Sequence, residues 1–140
     1  MSICKYNSER YSDPTAYEAL TAIEREAKKS AFKPLVYICS PYAGAVERNI
    51  ENARRYSRFA VNKGCIPLAP HLLFPQFLTD DDPAERKLAL FMNIVLLTKC
   101  AKLWVFGNVI SKGMSIEIEK AKQKGIPISY FNDLCEEVSK

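Results

Sequence analysis

Short apolar runs that alternate with amphipathic stretches constrain the fold of this chain more than any other feature. Four runs have the length and composition of buried strands: LVYIC, CIPL, LWVF and IPISY. A stretch with helical spacing of apolar residues separates consecutive runs. Strands that alternate with helices need crossover connections, which make neighbouring strands parallel. The pattern therefore predicts an α/β protein with a four-stranded parallel sheet.

Three helices are predicted between these runs. The first covers about residues 46–62, where apolar and small side chains recur at helical spacing, and Gly64 ends it. The second runs to about residue 99, and its start carries a cap, a first-turn proline and a capping-box acid: Asp82, Pro83 and Glu85. The third follows LWVF and is closed by Gly125.

An additional helix is predicted before the first strand. Asp13 is its cap and Pro14 lies in its first turn. An apolar stripe follows at helical spacing: Tyr17, Leu20, Ile23 and Ala27. We assign residues 1–34 to an N-terminal extension that packs on the sheet or on another subunit. Residues 35–140 are assigned to one globular domain.

The stretch GNVISKGMSIEIEKA, residues 107–121, has the character of a functional site. It places a flexible turn, hydroxyl groups and the carboxylate of Glu117 where the third run passes into a helix. Ligands bind at the carboxyl ends of strands in open parallel sheets, and helix amino termini stabilise anions there. We expect Glu117 in the first turn of that helix. Its alternative role is that of a surface acid that complements the helix dipole.

Composition argues against several classes of function. The chain has 20 basic and 16 acidic residues, and the basic ones are dispersed along helices, which disfavours a dedicated nucleic-acid binder. One histidine and five cysteines without a CxxC pair disfavour a metal site and are typical of reduced thiols in a cytosolic protein. No apolar run is long enough to span a bilayer, and the amino terminus is polar. We expect a cytoplasmic protein without metal, cofactor or membrane partner.

The motifs YICS and GMSIEIEKA, in this order and with the sheet pattern between them, resemble the nucleoside 2-deoxyribosyltransferase superfamily. This superfamily includes the 2'-deoxynucleoside 5'-phosphate N-hydrolases, and the resemblance covers about residues 35–130. The SPY start, the PH loop and the WVFG strand are similar to small bacterial and phage proteins of the DUF4406 type. The resemblance implies a three-layer α/β/α flavodoxin-like (Rossmann-like) sandwich with sheet order 2-1-3-4. It also implies cleavage of an N-glycosidic bond by hydrolysis or deoxyribosyl transfer.

The resemblance assigns roles to particular residues. Glu117 corresponds to the glycosidic nucleophile of the family, and Tyr37 corresponds to the tyrosine beside it. Ser111 and Gly113 correspond to the serine and glycine that hold the substrate phosphate in the hydrolase branch. The other candidate substrate contacts lie in the first loop, the loop after the second strand and the turn before Glu117: Ser40, Pro41, Tyr42, Ala43, Gly44, His71, Gly107 and Met114.

The chain departs from the pattern of the family at the second acid. Asn93 stands at the catalytic position where the family has an aspartate, and Ala101 replaces an acid that often opens the third strand. Tyr42 replaces a first-loop arginine of some phosphohydrolase-like members. Residue spacing does not select among the candidate substitute acids: His71, Asp80, Asp81 and Asp82.

The chemistry explains why these residue types are needed. Cleavage of an N-glycosidic bond passes through an oxocarbenium-like state, which a carboxylate such as Glu117 stabilises or traps covalently. Tyr37 would orient that carboxylate, and the departing base normally needs a second acid. The missing acid favours an alternative: a non-catalytic module that binds a nucleotide or a nucleotide-derived signal. A carrier of flavin mononucleotide is disfavoured because the hydroxyl-rich phosphate loop expected after the first strand is absent.

The two motifs end neighbouring strands, so their side chains should meet. We expect Tyr37 and Glu117 to approach within hydrogen-bonding reach in one cleft with Ser40, Ser111 and Gly113. Proteins of the superfamily complete their sites with a neighbouring subunit. This resemblance, the amphipathic amino-terminal helix and the apolar residues 88–97 imply a homodimer or larger homo-oligomer that binds a small nucleoside or nucleotide.

Overall fold

The computed structural model describes residues 14–29 and 33–139. The chain divides into two compact units, Met1–Lys33 and Pro34–Lys140. In the first unit, helix α1 spans Pro14–Lys29. Leu20 and Ile23 of its predicted apolar stripe are exposed. Asp13, the predicted cap of this helix, lies outside the described residues.

The second unit alternates strands and helices as predicted. Strands β1 to β4 span Leu35–Cys39, Ile66–Leu68, Lys102–Phe106 and Ile128–Phe131. Helices α2 to α4 span Val46–Asn62, Pro83–Leu97 and Lys112–Gln123. Two short 3-10 turns, Pro70–Leu72 and Phe74–Gln76, lie in the connection between β2 and α3. No helix in the described ranges is long and apolar enough to cross a membrane.

Strands β1 to β4 pair in parallel, which confirms the predicted sheet order 2-1-3-4. The expectation of only four strands was wrong. Strand β5, Glu137–Val138, pairs antiparallel with β4 and extends the order to 2-1-3-4-5. Both residues of β5 are exposed. A two-residue exposed strand has no apolar run, so its sequence carries no strand signal.

One face of the sheet packs against α2. Val36 and Ile38 of β1 point to this face, together with Phe106 of β3. They pack against Tyr56 and Ala60 of α2. The rings of Tyr56 and Phe106 stack with their centroids 4.2 Å apart. Burial of these large side chains stabilises the attachment of α2 to the sheet.

The opposite face packs against α3 and α4. Tyr37 and Cys39 of β1 point to this face because successive side chains of a strand alternate between the two faces. They share a buried cluster with Leu97 of α3 and with Met114 and Ile118 of α4. The helices therefore form two outer layers around the sheet, which is the predicted flavodoxin-like arrangement.

The helices that follow β1 and β3 lie on opposite faces of the sheet. Helix α2 follows β1 on one face, whereas α4 follows β3 on the other. Because β1 and β3 are neighbours, the loops after them diverge and leave a crevice at their carboxyl ends. Such a switch point is where open α/β sheets bind ligands.

The start of α3 differs in one detail from the predicted capping box. The Asp82 carboxylate accepts a hydrogen bond from the Ala84 amide at 2.9 Å, which confirms Asp82 as the cap. Glu85 does not bond the Asp82 amide, and its carboxylate accepts from the Thr79 amide at 3.3 Å. The Asp82 amide already donates to the Thr79 carbonyl, so it is not available to Glu85.

Helix α4 begins earlier than expected relative to Glu117. Ser111 is its cap, and the Ser111 hydroxyl accepts a hydrogen bond from the Met114 amide at 3.2 Å. Glu117 is therefore the sixth residue of α4, and its predicted place in the first turn was wrong. One full turn from the helix start, its side chain can face the sheet.

Candidate functional site

Glu117 is a buried carboxyl group between α4 and β1. Its side chain is 8% exposed, so it is not a surface acid of the helix terminus. The Tyr37 hydroxyl hydrogen-bonds to its carboxylate. The Cys39 Sγ lies 3.8 Å from Glu117 Oε1. The expected contact between Tyr37 and Glu117 is therefore present, and Cys39 adds a third member.

Burial dominates the ionisation of this group. Removal from water raises the pKa of Glu117 from 4.5 to about 7, although the hydrogen bonds from Tyr37 and Cys39 act in the lowering direction. Burial, followed by the adjoining carboxylate, raises the pKa of Tyr37 and of Cys39 well above their usual values. Both residues therefore stay protonated and donate to Glu117, which is partly ionised at neutral pH.

The amino terminus of α4 lies at the carboxyl edge of the sheet, one turn before Glu117. The Ser111 oxygen is engaged as the helix cap, and Ser111 itself is exposed. The amides of Lys112 and Gly113 stand in the first turn, where helix geometry leaves them without intrahelical acceptors. These amides can bind an anion.

The loops after β1 and β2 are joined by a hydrogen bond between Ser40 and His71. Ser40 Oγ lies 2.9 Å from His71 Nε2, and Ser40 is 7% exposed. Burial lowers the pKa of His71 to about 4. His71 is therefore a neutral imidazole at physiological pH, and the pair can offer hydrogen bonds but no stable positive charge.

The first loop is held in place by Asn49 of α2. The Asn49 Nδ2 donates to the carbonyls of Tyr42 and Ala43 at 2.9 and 3.1 Å. Gly44 follows with a φ of 94°, a left-handed conformation that favours glycine. The loop that carries the predicted contacts Pro41 and Tyr42 is thus fixed to α2.

Two shallow depressions open near the carboxyl edge of the sheet. The larger, of about 220 Å³, lies between the loops after β1 and β3 and the side of α2; it is lined by Ser40, Pro41, Asn49, Asn52, Tyr56, Gly107, Asn108, Val109 and Asp133. The smaller, of about 170 Å³, is lined by Tyr42, Ile50, Arg54, His71, Leu72, Pro75 and Gln76. Glu117 lines neither depression.

The predicted site residues are therefore brought together only in part. Tyr37 and Glu117 meet, whereas of the other residues expected in the same cleft only Ser40 lines the larger depression, and Ser111 and Gly113 line neither. Met114, a predicted substrate contact, is 2% exposed and packs in the core. The apolar spacing of α4 requires Met114 to face the sheet, so its side chain is not positioned for ligand contact.

Asn93 lies on the inward side of α3. It precedes Leu97 by one turn, and Leu97 is buried in the same cluster as Tyr37. Helix α3 runs back from the carboxyl edge of the sheet, so Asn93 is nearer that edge than Leu97. Asn93 Oδ1 is buried and accepts no hydrogen bond from the part of the chain that the structure describes. An unsatisfied buried oxygen is unusual and needs a functional or structural explanation.

One acid of the acidic loop lies near the first loop, because burial and then the charge of Asp80 raise the pKa of Tyr42. Asp82 caps α3, and Asp80 forms an exposed ion pair with Arg86 at 3.8 Å. Asp81 is exposed, and Ala101 precedes β3 with its amide bonded to the Leu35 carbonyl. Within residues 14–29 and 33–139, no three His, Cys, Asp or Glu side chains converge as ligands of a metal ion would.

Cys39 is the member of the site that sequence reasoning missed. It was interpreted as a core thiol, and it is indeed 1% exposed. The available signal was its position two residues after Tyr37, because alternate residues of a strand share a face. A contact of Tyr37 with Glu117 therefore implied that Cys39 faces α4 as well.

Residues 34–131 match the model of a family described as a domain of unknown function, DUF7768. The chain belongs to the DUF7768 family. The matched segment contains Tyr37, Cys39, Asn93 and Glu117. The more specific expectation of a DUF4406-type protein is not confirmed, because the family model that matches is DUF7768.

Comparison with solved structures places the DUF7768 domain in a known fold. A 2-deoxyribosyltransferase from the psychrotolerant bacterium Bacillus psychrosaccharolyticus is similar, with a TM-score of 0.59 over 75% of this chain and 77% of that chain. The two sequences are 13% identical, so the likeness establishes the fold and not the activity. None of the curated proteins matches the DUF7768 chain in sequence.

Proposed function

We propose that this DUF7768 protein cleaves the N-glycosidic bond of a nucleoside or nucleotide, with Glu117 as its nucleophile. The observation that carries the proposal is the buried Glu117 carboxyl, which Tyr37 and Cys39 hold between β1 and α4. A carboxyl group this buried that has no cationic partner is seldom retained for stability alone. Similarity in fold to a 2-deoxyribosyltransferase supports the same class of reaction.

The reaction needs the ionised form of Glu117. One carboxylate oxygen attacks the anomeric carbon of the sugar, while the bond from that carbon to the base nitrogen breaks. The base leaves with the electron pair of that bond and takes up a proton. Water or a second base then attacks the anomeric carbon and loses a proton to solvent, while the bond from that carbon to the Glu117 oxygen breaks and restores the free carboxylate. Water gives hydrolysis, and a second base gives transfer.

The candidate site has a nucleophile for attack on the sugar but no clear proton donor for the departing base. Asn93 carries no proton that it can release, and the pKa of His71, about 4, keeps its ring neutral at physiological pH. The Ser40 and His71 pair still offers one hydrogen-bond donor outward in either tautomer of the ring. We infer that the enzyme favours bases that leave readily after hydrogen bonding.

The ligand class follows from the first turn of α4. The free amides of Lys112 and Gly113 and the dipole of α4 favour an anionic group close to Glu117. A 5'-phosphate lies within one sugar of the anomeric carbon and would fit this arrangement. A nucleoside 5'-monophosphate is therefore the preferred substrate class.

A binding module that does not turn its ligand over is the second candidate. The specific observation in its favour is the buried amide oxygen of Asn93, which has no hydrogen-bond partner among the described residues. The resemblance aligns Asn93 with the acid of the family. Such a protein would keep the pocket and lose the proton donor. In either case we place the protein in a reducing compartment such as the cytoplasm, because Cys39, Cys65, Cys100 and Cys135 are free thiols.

We further propose that the protein assembles with itself through α3. Leu88, Phe91 and Val95 recur at helical spacing, and all three are exposed. A row of large apolar side chains on one helix face is typical of a surface that a partner covers. A homodimer would bury this row on the same helix that carries Asn93.

The experiment that separates the two functions is a ligand screen of the full chain. Purified protein is incubated with nucleosides and nucleoside 5'-monophosphates of each base, in ribo and deoxyribo forms. Chromatography measures the free base that is released, and calorimetry measures the ligand that is retained. Release of base from at least one ligand supports the enzyme. Tight retention of a nucleotide without release of its base supports the binding module.

A further inference from the structure

We propose that Cys39 is a positioning residue that orients Glu117 through its thiol. The inference rests on the function proposed above, because it assigns a task to a residue beside the nucleophile. Cys39 is 1% exposed, so no substrate can touch it, and it can act on the reaction only through Glu117.

The geometry of the thiol supports this role. The Cys39 Sγ lies 3.8 Å from Glu117 Oε1 and 4.0 Å from the Met114 carbonyl oxygen. Both acceptors belong to one turn of α4, so the thiol lies against the inner side of that turn. A proton shared with Glu117 limits rotation of the carboxyl group about its last bond. Tyr37, two residues earlier on β1, donates to the same carboxyl group.

Few other groups can orient the carboxyl. The groups that face it from β1 are Tyr37 and Cys39, and both are neutral donors. From the α3 side, Asn93 and the Cys100 thiol approach the same cluster, and Cys100 donates to the Leu96 carbonyl at 3.4 Å. No lysine or arginine of the described residues contributes to the ionisation of Glu117. Two uncharged donors therefore hold the carboxylate without neutralising it.

The other thiols of the described chain do not share this environment. Cys65 is buried on the opposite face of the sheet, and its Sγ lies 4.0 Å from the Lys63 carbonyl oxygen. Cys135 accepts a hydrogen bond from Arg55 in the turn after β4. Cys39 alone among the four contacts a carboxyl group. This makes Cys65 a suitable control.

The test compares two replacements of Cys39 with one replacement of Cys65. Cys39→Val removes the donor and nearly keeps the volume, whereas Cys39→Ser keeps a donor on a slightly shorter side chain. The titration of Glu117 is followed by carbon NMR of labelled glutamate side chains and assigned with Glu117→Gln. We expect Cys39→Val to raise the titration midpoint by about half a pH unit. Cys39→Ser and Cys65→Val should leave it near the wild-type value.

Activity provides the second readout. With a nucleotide that the wild type cleaves, Cys39→Val should lower kcat near neutral pH severalfold and leave KM unchanged, because the thiol does not touch substrate. Equal effects of Cys39→Val and Cys39→Ser on the titration and on kcat would overturn the proposal and leave Cys39 a packing residue. An unchanged midpoint in Cys39→Val would overturn it as well.

A measurement on the wild type avoids any loss of folding in the variants. The S–H stretching band of the Cys39 thiol shifts when its acceptor gains charge, so it should move as Glu117 titrates and should not move in Glu117→Gln. An S–H band whose frequency stays constant while Glu117 titrates would contradict the proposal. If the band and the midpoints behave as expected but no nucleotide loses its base, the contact between Cys39 and Glu117 stands and the enzymatic function fails.

Discussion

The Tyr37 hydroxyl hydrogen-bonds to the Glu117 carboxylate across the interface between β1 and α4. The two residues are 80 positions apart in the chain, and the sheet brings them together because β1 and β3 are neighbours. Tyr37 lies on β1, which ends at the first loop. Glu117 lies on α4, which begins after the loop that follows β3. Both loops border the switch point, where we propose that the ligand binds.

Replacement of Tyr37 by phenylalanine should move the pH dependence of activity. Tyr37→Phe keeps the ring and removes the hydroxyl, which acts to lower the pKa of Glu117. The pKa of Glu117 should rise further. The acid limb, which is the fall of kcat at low pH, should therefore move to higher pH by about one unit. Base release measured across pH tests this. Tyr56→Phe, buried on the opposite face of the sheet, is the control and should leave the limb in place. An unmoved limb in Tyr37→Phe would contradict the assignment.

Glu117 should make the stability of the protein depend on pH. Its pKa is 4.5 when unperturbed and about 7 in the folded protein, so the folded state holds the proton more tightly than the unfolded chain. Below the lower value the group is protonated in both states and has no effect on stability. As the pH rises through both values, the free energy of unfolding should fall by an amount approaching about 3 kcal/mol.

Glu117→Gln removes this ionisation and isolates its effect. Its Tm should exceed that of the wild type at about pH 8, and the difference should shrink at about pH 5. Calorimetric scans at both pH values measure the two differences. Glu119→Gln changes an exposed acid of the same helix and should show no such pattern. A difference in Tm between Glu117→Gln and the wild type that is the same at both pH values would show that Glu117 does not titrate as described.

The sequence predicted the elements of the sheet well because each strand is a dense apolar run between turn residues. LVYIC and LWVF are buried on both faces, so their composition alone identifies them. Strand β5 could not be found in this way, since Glu137 and Val138 are exposed and depend on pairing with β4. The bounds predicted from spacing for α2, residues 46–62, are confirmed, and α3 ends at Leu97, two residues before the predicted end.

The sequence predicted the contact between Tyr37 and Glu117 but did not predict that Glu117 is buried. Glu117 was recognised from its place after the third strand, but the helix start at Ser111 determines that it faces inward. The Ser40 and His71 contact joins two loops of irregular structure, and no local spacing encodes it. The contact of Cys39 with Glu117 could be predicted only once Tyr37, on the same face of β1, was known to contact Glu117.

An acid restored at position 93 should increase activity if its absence limits departure of the base. In Asn93→Asp the new carboxyl group would be buried, and burial favours its protonated form. It could then donate a proton to the base. We expect an increase of roughly tenfold or more in base release, measured by chromatography. Asn62→Asp, at the exposed end of α2, adds a carboxyl group away from the site and should leave the rate of base release unchanged. Base release at the wild-type rate in folded Asn93→Asp would exclude this explanation.

The apolar row on α3 should hold two or more copies of the chain together. Light scattering at micromolar concentration should give at least the mass of a dimer. Phe91→Glu places a charge in the centre of the row, where Phe91 is 64% exposed, and should yield monomers. Val61→Glu alters an exposed apolar residue of α2 and should leave the assembly intact. A monomeric wild type would contradict this prediction.

The comparison of wild type with Glu117→Gln on the same nucleotides tests the central claim most directly. The amide keeps the size of the side chain and loses the charge that attacks the anomeric carbon. We predict that kcat for base release falls by about 10³-fold or more, which corresponds to roughly 4 kcal/mol of transition-state stabilisation. The Kd measured by calorimetry should change by less than about threefold. A wild type that binds a nucleotide tightly and releases no base, with Glu117→Gln altering affinity alone, would contradict the account.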